Sequence, residues 1–201
     1  MNQEKMKEKI ALDLFKLNAV MFGNFKLKSG IMSPFYVDLR LSISSPKLLN
    51  LIGKALHSKS RKLKFNRVCG IPFAGIPFGV VVSLNSNKPM ILLRLQVKGH
   101  GTKKLIEGQF KKGEKILLVD DLITTGLSKF ESIYSLKNSG LKVTDIVVLI
   151  DRMQNAGPIL KKKNVRLHSF MTIKELFSIL LKKNKITKEQ FEKSMDFVDG
   201  L

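Results

Sequence analysis

Apolar residues recur at helical spacing through Lys5 to Val20, at Ile10, Leu14, Leu17 and their neighbours, which predicts an amphipathic N-terminal helix. The pattern then shortens to alternation. Phe25 to Leu27 and Phe35 to Leu39 alternate around Lys-Ser-Gly, as the two strands of a short hairpin do. Ser45-Pro46 opens a helix that runs to about Ser60, with proline in its first turn. Beyond it, strand-like apolar runs fall at Arg67 to Ile71, Met90 to Arg94, Lys115 to Val119, Val143 to Ile150 and Val165 to Phe170, with helical segments at Gly75 to Leu84 and Ser128 to Asn138. Ile116 to Val119 has no polar face, the mark of a strand buried on both sides of a parallel sheet. Thr172 to Lys182 and Thr187 to Val198 read as two terminal helices, each starting at a threonine with an acidic residue in its first turn.

The expectation is an α/β fold: a mainly parallel, twisted sheet flanked by helices, with a small N-terminal hairpin and helix cap. At 201 residues we expect one domain, with residues 1–45 forming the cap and 46–201 the core and C-terminal helices. Gln96 to Lys112 stands apart, rich in Gly and Lys and without sustained periodicity. A stretch of that length is usually functional or disordered, and function is the reading preferred here.

The chemistry concentrates in Lys115 to Ser128, KILLVDDLITTGLS. Asp120 and Asp121 are expected at or just past the carboxyl end of a buried strand, where open α/β sheets place their ligands. Two adjacent carboxylates can accept from the paired hydroxyls of a ribose. Thr124, Thr125, Gly126 and Ser128 then offer backbone N–H groups and hydroxyls at the start of a helix, an anion site suited to phosphate. Taken singly, the same residues also make ordinary helix caps. The chain carries neither GxxxxGK[ST] nor GxGxxG, which speaks against a P-loop or a dinucleotide site.

A net charge of +20 raises a nucleic-acid reading. The cations are scattered, however, and only six are arginines, the residue that base readout and bidentate phosphate clamping favour. With no basic-aromatic stripe, a lysine-rich solvated surface accounts for most of the charge and nucleic acid is an unlikely partner. The single Cys69 excludes an intramolecular disulfide and suits a reducing compartment. Neither a secretion signal nor a membrane span is read in the first twenty residues, so a cytoplasmic location is expected.

LLVDDLITTG resembles the phosphoribosyl pyrophosphate motif of type I phosphoribosyltransferases. FGNFKLKSGIMSPFYVDLR (Phe22 to Arg40), CGIPFAGIP (Cys69 to Pro77), KGHGTKKLIEG (Lys98 to Gly108) and LIDRMQ (Leu149 to Gln154) narrow the resemblance to orotate phosphoribosyltransferase, closest to the transferase half of UMP synthase. The resemblance implies the type I phosphoribosyltransferase fold. It also implies conversion of orotate and 5-phosphoribosyl 1-pyrophosphate to orotidine 5′-monophosphate and pyrophosphate in UMP biosynthesis. It puts the phosphoribosyl substrate on Asp120, Asp121, Leu122, Ile123, Thr124, Thr125, Gly126, Leu127 and Ser128, and also on Lys28, Arg94, Lys98 and His100. Orotate falls to Lys28, Phe35, Tyr36, Thr124 and Arg152, and the catalytic roles to Lys98, His100, Asp120 and Asp121. No metal cage is implied; Mg²⁺ is expected mainly through substrate and water. A homodimer sharing loop 95–108 across its interface is expected, and a separate orotidine-5′-phosphate decarboxylase is a candidate partner.

The chain departs from the family pattern at Leu95 (usually lysine), Gly99 (usually acidic), Leu127 (often a small hydroxyl residue) and Ala74 (lysine in many bacterial relatives). Alternatives therefore stay open: a catalytically weakened regulator that binds phosphoribosyl pyrophosphate, or a transferase for another base. Phe35 and Tyr36 also fit plain strand residues of which one faces the core, and His57 and His168 match no motif and read as structural.

Overall fold

The computed structural model describes residues 1–27, 30–94 and 105–200. Helix α1 (Gln3–Lys16) buries Ile10, Ala11 and Leu14 and ends where Asn18 turns left-handed, at φ 54°. That turn delivers the chain directly into β1 (Val20–Lys26), which pairs antiparallel with β2 (Met32–Val37). The hairpin thus begins earlier than alternation indicated, because a bulge between Phe22 and Phe25 breaks the period. Its second strand stops at Val37, where the Asp38 carboxylate accepts the Arg40 N–H and opens a 3₁₀ turn, Leu39–Ser44. Helix α2 (Pro46–Ser60) follows, with the Ser45 hydroxyl accepting the Leu48 N–H.

The core sheet then alternates with helices: β3 (Arg67–Gly70), α3 (Gly75–Ser86), β4 (Met90–Leu93), β5 (Ile106–Glu107), β6 (Lys115–Ile123), α4 (Phe130–Asn138), β7 (Lys142–Asp151), α5 (Ala156–Lys161) and β8 (Arg166–Thr172). Two further helices, α6 (Ile173–Lys182) and α7 (Lys188–Asp199), both start with capping boxes, at Thr172 with Glu175 and at Thr187 with Gln190. The strand order is β5-β4-β3-β6-β7-β8, parallel throughout except for β5 against β4. The expected mainly parallel sheet with a small N-terminal hairpin is therefore present. Strand β5 and helix α5 are too short to leave a period in the sequence.

Alternate residues of β6 enter the cores on the two faces of the sheet. Leu117 and Val119 pack with α1, α2, α3, α6 and α7, while Ile116 and Leu118 pack with α4 and α5. On the first face Phe35 of the hairpin meets Phe177 and Phe197 edge-to-face, at 4.9 and 5.8 Å between ring centres. Lys7 of α1 pairs with Glu175 at 2.5 Å, tying the first helix to the cap of α6. Cys69 is buried, and burial pushes its thiol up to about 12. Among the described residues no helix is long and apolar enough to cross a membrane.

Far from the carboxyl ends of the strands, Asp145 is 5% exposed and accepts from Arg166 (3.0 Å twice) and Thr144 (2.8 Å), with His168 at 2.7 Å. Burial raises its carboxyl, but the hydrogen bonds from Arg166, His168 and Thr144 together hold it below the usual carboxylate value. A depressed value contributes stability above the unfolded pKa of about 4 that is lost as pH falls through the folded value. Asp145→Asn is expected to lower stability by about 1–3 kcal/mol at pH 7 and by much less at pH 3. Urea midpoints at both pH values check this; an equal gap at each would contradict it.

Candidate active site

The chain order reverses between β3 and β6: β4 and β5 lie to one side, β7 and β8 to the other. In an open α/β sheet the crevice at such a switch point, past the carboxyl ends, receives the ligand. Strand β6 runs on to Ile123, beyond the Val119 at which the apolar run stops, because Asp120, Leu122 and Ile123 continue the ladder against Val148, Ile150 and Asp151 of β7. The acid pair therefore lies inside the strand. Strand alternation sends Asp120 the way of Ile116 and Leu118, toward α4, and Asp121 the way of Leu117 and Val119.

Asp120 is 2% exposed; its Oδ1 accepts the Asp121 N–H at 2.9 Å. Its Oδ2 lies against the Lys129 ammonium as a close ion pair. Burial pushes this carboxyl up, Lys129 pulls it back and Asp121 adds to the rise. Asp121 is half-buried, and its Oδ1 accepts the Leu122 N–H at 2.7 Å. Arg40, held by Asp38 through two 2.6 Å bonds, lies near enough to Asp121 for their charges to couple.

Across the crevice, the Ile71 N–H reaches the Val119 carbonyl at 2.9 Å, and the turn through Pro72 to Ala74 leads into α3. Only glycine permits this approach. A Cβ at Gly70 would stand 2.7 Å from both the Gly75 carbonyl carbon and the Ile76 Cα, and one at Gly75 would strike the Val119 carbonyl oxygen. The start of α3 is thus seated beside Asp120.

After β6, Thr124 and Thr125 lead to Gly126, whose φ of +80° turns the chain into the 3₁₀ segment Leu127–Lys129 ahead of α4. The predicted helix start at Ser128 is in this segment; the α-helix itself begins at Phe130. Thr124 and Thr125 are half-buried, Leu127 and Ser128 exposed. Arg152 follows β7, and its N–H bonds the Ile123 carbonyl at 2.9 Å, which holds it against the base of the same turn. Its guanidinium carbon lies 5.2 Å from the centre of the Phe35 ring, and its buried Nε has no hydrogen-bond partner. Burial pulls its pKa down from the usual arginine value.

Phe35 is fully buried and forms the floor beneath Arg152, whereas Tyr36 points outward and stacks with Phe25. Arg94, at the end of β4, pairs with Glu107 beside a cleft of about 610 Å³ lined by Pro72, Phe73, Ile76 and Leu93. This cleft adjoins the turn before α3 and does not include the acid pair. Lys28, Leu95, Lys98, Gly99 and His100 lie outside the described residues. The amino-end Asp145 cluster takes His168, and His57 is on α2 with a buried Nδ1 lacking a partner. Lys129 was not singled out from the sequence, although a cation at the start of a helix is itself a sign, since the macrodipole disfavours it there.

Residues 43–175 match the phosphoribosyl transferase domain family. The orotate phosphoribosyltransferase of Caenorhabditis elegans is 38% identical over 89% of this chain and 79% of its own length. The chain belongs to the orotate phosphoribosyltransferase family. A bifunctional enzyme PyrF/PyrE of Nostoc sp. is 40% identical over 90% of this chain. The structure of Leishmania donovani UMP synthase superposes on 96% of the chain with a TM-score of 0.88 and 34% identity. The chain spans only 38% of the Nostoc enzyme and 42% of the Leishmania chain. Its acid pair, the turn after it and Arg152 all lie at the carboxyl ends of the neighbouring strands β6 and β7.

Proposed function

We propose that this chain is an orotate phosphoribosyltransferase acting in UMP biosynthesis. The observation that carries the reading is the bracket at the switch point: Asp120 and Asp121 on β6, the Thr124–Ser128 turn beyond them, and Arg152 bonded to the base of that turn. The acid pair takes the ribose hydroxyls and the turn takes the 5′-phosphate. Arg152 has spare planar donors over an aromatic floor, which suits the carboxylate of orotate.

In the reaction, N1 of orotate gives up its proton to water or the departing pyrophosphate and forms the bond to the anomeric carbon, while the bond from that carbon to the pyrophosphate oxygen breaks and pyrophosphate leaves with the electron pair. Positive charge grows on the sugar and negative charge on the leaving group. The residues on β6 and β7 contribute by holding both partners in line. The start of α3, seated by Gly70 and Gly75, lies where its N–H dipoles oppose negative charge. Mg²⁺ fits this donor set: the half-buried Asp121 offers hard oxygens that would help to hold it, together with substrate and water. When bound it supplies neutralising charge to the diphosphate. Lys98 and His100 would act on the same leaving group from loop 95–108, shared between subunits of a homodimer in the cytoplasm, with a separate decarboxylase as candidate partner.

Mixing the purified protein with orotate, phosphoribosyl pyrophosphate and Mg²⁺ is expected to consume the orotate absorbance with stoichiometric release of pyrophosphate. Binding of phosphoribosyl pyrophosphate without turnover would replace the enzyme with a regulator. Turnover of a purine base in place of orotate would move the substrate assignment.

A further inference from the structure

We infer that Phe197, on the last helix, is a positioning residue for the base: it wedges Phe35, and through that ring sets the Arg152 guanidinium that selects a pyrimidine carrying a carboxylate. The inference rests on the transferase reading above and adds to it a residue outside the phosphoribosyltransferase motifs.

The backbone around Arg152 is fixed on both sides. Its own N–H bonds the Ile123 carbonyl at 2.9 Å, and the Asp151 Oδ1 accepts the N–H of Met153, a residue in the left-handed region with φ 63°, at 2.8 Å. What remains to be set is the side chain. Its Nε is buried without a hydrogen-bond partner, and the guanidinium carbon lies 5.2 Å from the centre of the Phe35 ring. The ring beneath it therefore locates the planar fork, and a carboxylate held by two parallel N–H groups tolerates little error in that plane.

Phe35 is 1% exposed and owes its orientation to rings from two later helices. Phe177 of α6 and Phe197 of α7 stand at 72° and 87° to it. Phe177 is shared with Phe22, the residue opposite Phe35 in the hairpin, at 5.1 Å between ring centres. It thus holds the hairpin as a whole. Phe197 is half-buried and meets Phe35, so shortening it leaves the Phe22–Phe177 contact in place. With leucine at 197, Phe35 loses one of its two steep walls and can tilt, carrying the guanidinium with it. The acid pair and the Thr124–Ser128 turn stand on other elements, so the defect should fall on recognition of the carboxylate.

The test compares wild type, Phe197→Leu and Phe191→Leu in the full chain; Phe191 is a half-buried ring of the same helix packed on the same core. Calorimetry follows binding of orotidine 5′-monophosphate and of UMP, which lacks the carboxylate. Phe197→Leu should weaken orotidine 5′-monophosphate about fivefold and UMP by less than about twofold, the scale of one aromatic pair. The KM for orotate should rise by about the same factor, with kcat and the KM for phosphoribosyl pyrophosphate within about twofold of wild type. Phe191→Leu should keep the wild-type ratio of the two nucleotide affinities. In an Arg152→Ala background, adding Phe197→Leu should alter orotidine 5′-monophosphate binding by less than about twofold. An unchanged ratio in Phe197→Leu, an equal loss in Phe191→Leu, or a full effect of Phe197→Leu without Arg152 each overturns the inference. If Phe197→Leu does not fold, Phe197→Met takes its place. Should wild type bind neither nucleotide and turn over no orotate, the transferase reading falls. The Arg152 Nε–H resonance, assigned by its loss in Arg152→Ala, then decides the part played by Phe197. It should move in Phe197→Leu and not in Phe191→Leu; an unmoved resonance overturns the inference.

Discussion

Arg152→Ala is expected to lower kcat/KM for orotate by roughly a hundredfold, about 3 kcal/mol, the loss of two charge-assisted hydrogen bonds to a carboxylate. The KM for phosphoribosyl pyrophosphate should move little, because the backbone bond from residue 152 to the Ile123 carbonyl survives the substitution and continues to brace the turn. Thermal stability should hold or rise. The guanidinium is kept partly out of water over Phe35 with a buried donor unsatisfied, a cost that the substitution removes. Steady-state kinetics in each substrate and a thermal melt check all three quantities. Unchanged orotate kinetics, or a large fall in Tm, would make Arg152 a structural residue and remove it from the site.

The second large effect is on the seat of α3. Gly70→Ala places a methyl group 2.7 Å from backbone atoms of Gly75 and Ile76, and backbone cannot swing aside as a flexible side chain does. The helix must retreat from β3, at a cost of about 1–3 kcal/mol, the scale of overpacking in a well-filled interior. Because the same helix start abuts Val119 and Asp120, turnover should fall with stability even at temperatures where the protein remains folded. Gly157→Ala is the control. It lies in α5 with open space where its Cβ would go, so it should leave the urea midpoint unchanged or raise it slightly. Equal midpoints for the two variants would show that the close approach is not tight.

Much of this architecture is legible in the pattern of apolar residues. Ile116 to Val119 announces a strand buried on both faces, and its alternate residues do enter opposite cores. The capping boxes at Thr172 and Thr187 mark both terminal helices correctly. What escaped has a physical reason in each case. Asp120 and Asp121 look like the end of a strand because charge ordinarily ends a buried run, yet ladder pairing with β7 carries β6 past them. Phe35 belongs to an alternating strand, so periodicity alone could not say which of Phe35 and Tyr36 faces inward; packing against Phe177 and Phe197 decides it. The two-residue strand β5 pairs through backbone, which leaves no trace in side-chain type. Lys129 blends into a chain rich in lysine, and its burial against Asp120 depends on a strand-to-helix turn whose geometry the sequence does not spell out.

The aromatic stack beneath Arg152 also bears on synthesis at the ribosome. A nascent chain that has emerged through Arg152 already displays the acid pair, the Thr124–Ser128 turn and the arginine. It still lacks Phe177 and Phe197, the rings against which Phe35 is wedged. Until α6 and α7 leave the exit tunnel and dock, the support under the arginine is incomplete, so the proposed site is finished late in translation even though its acid pair, turn and arginine are already outside.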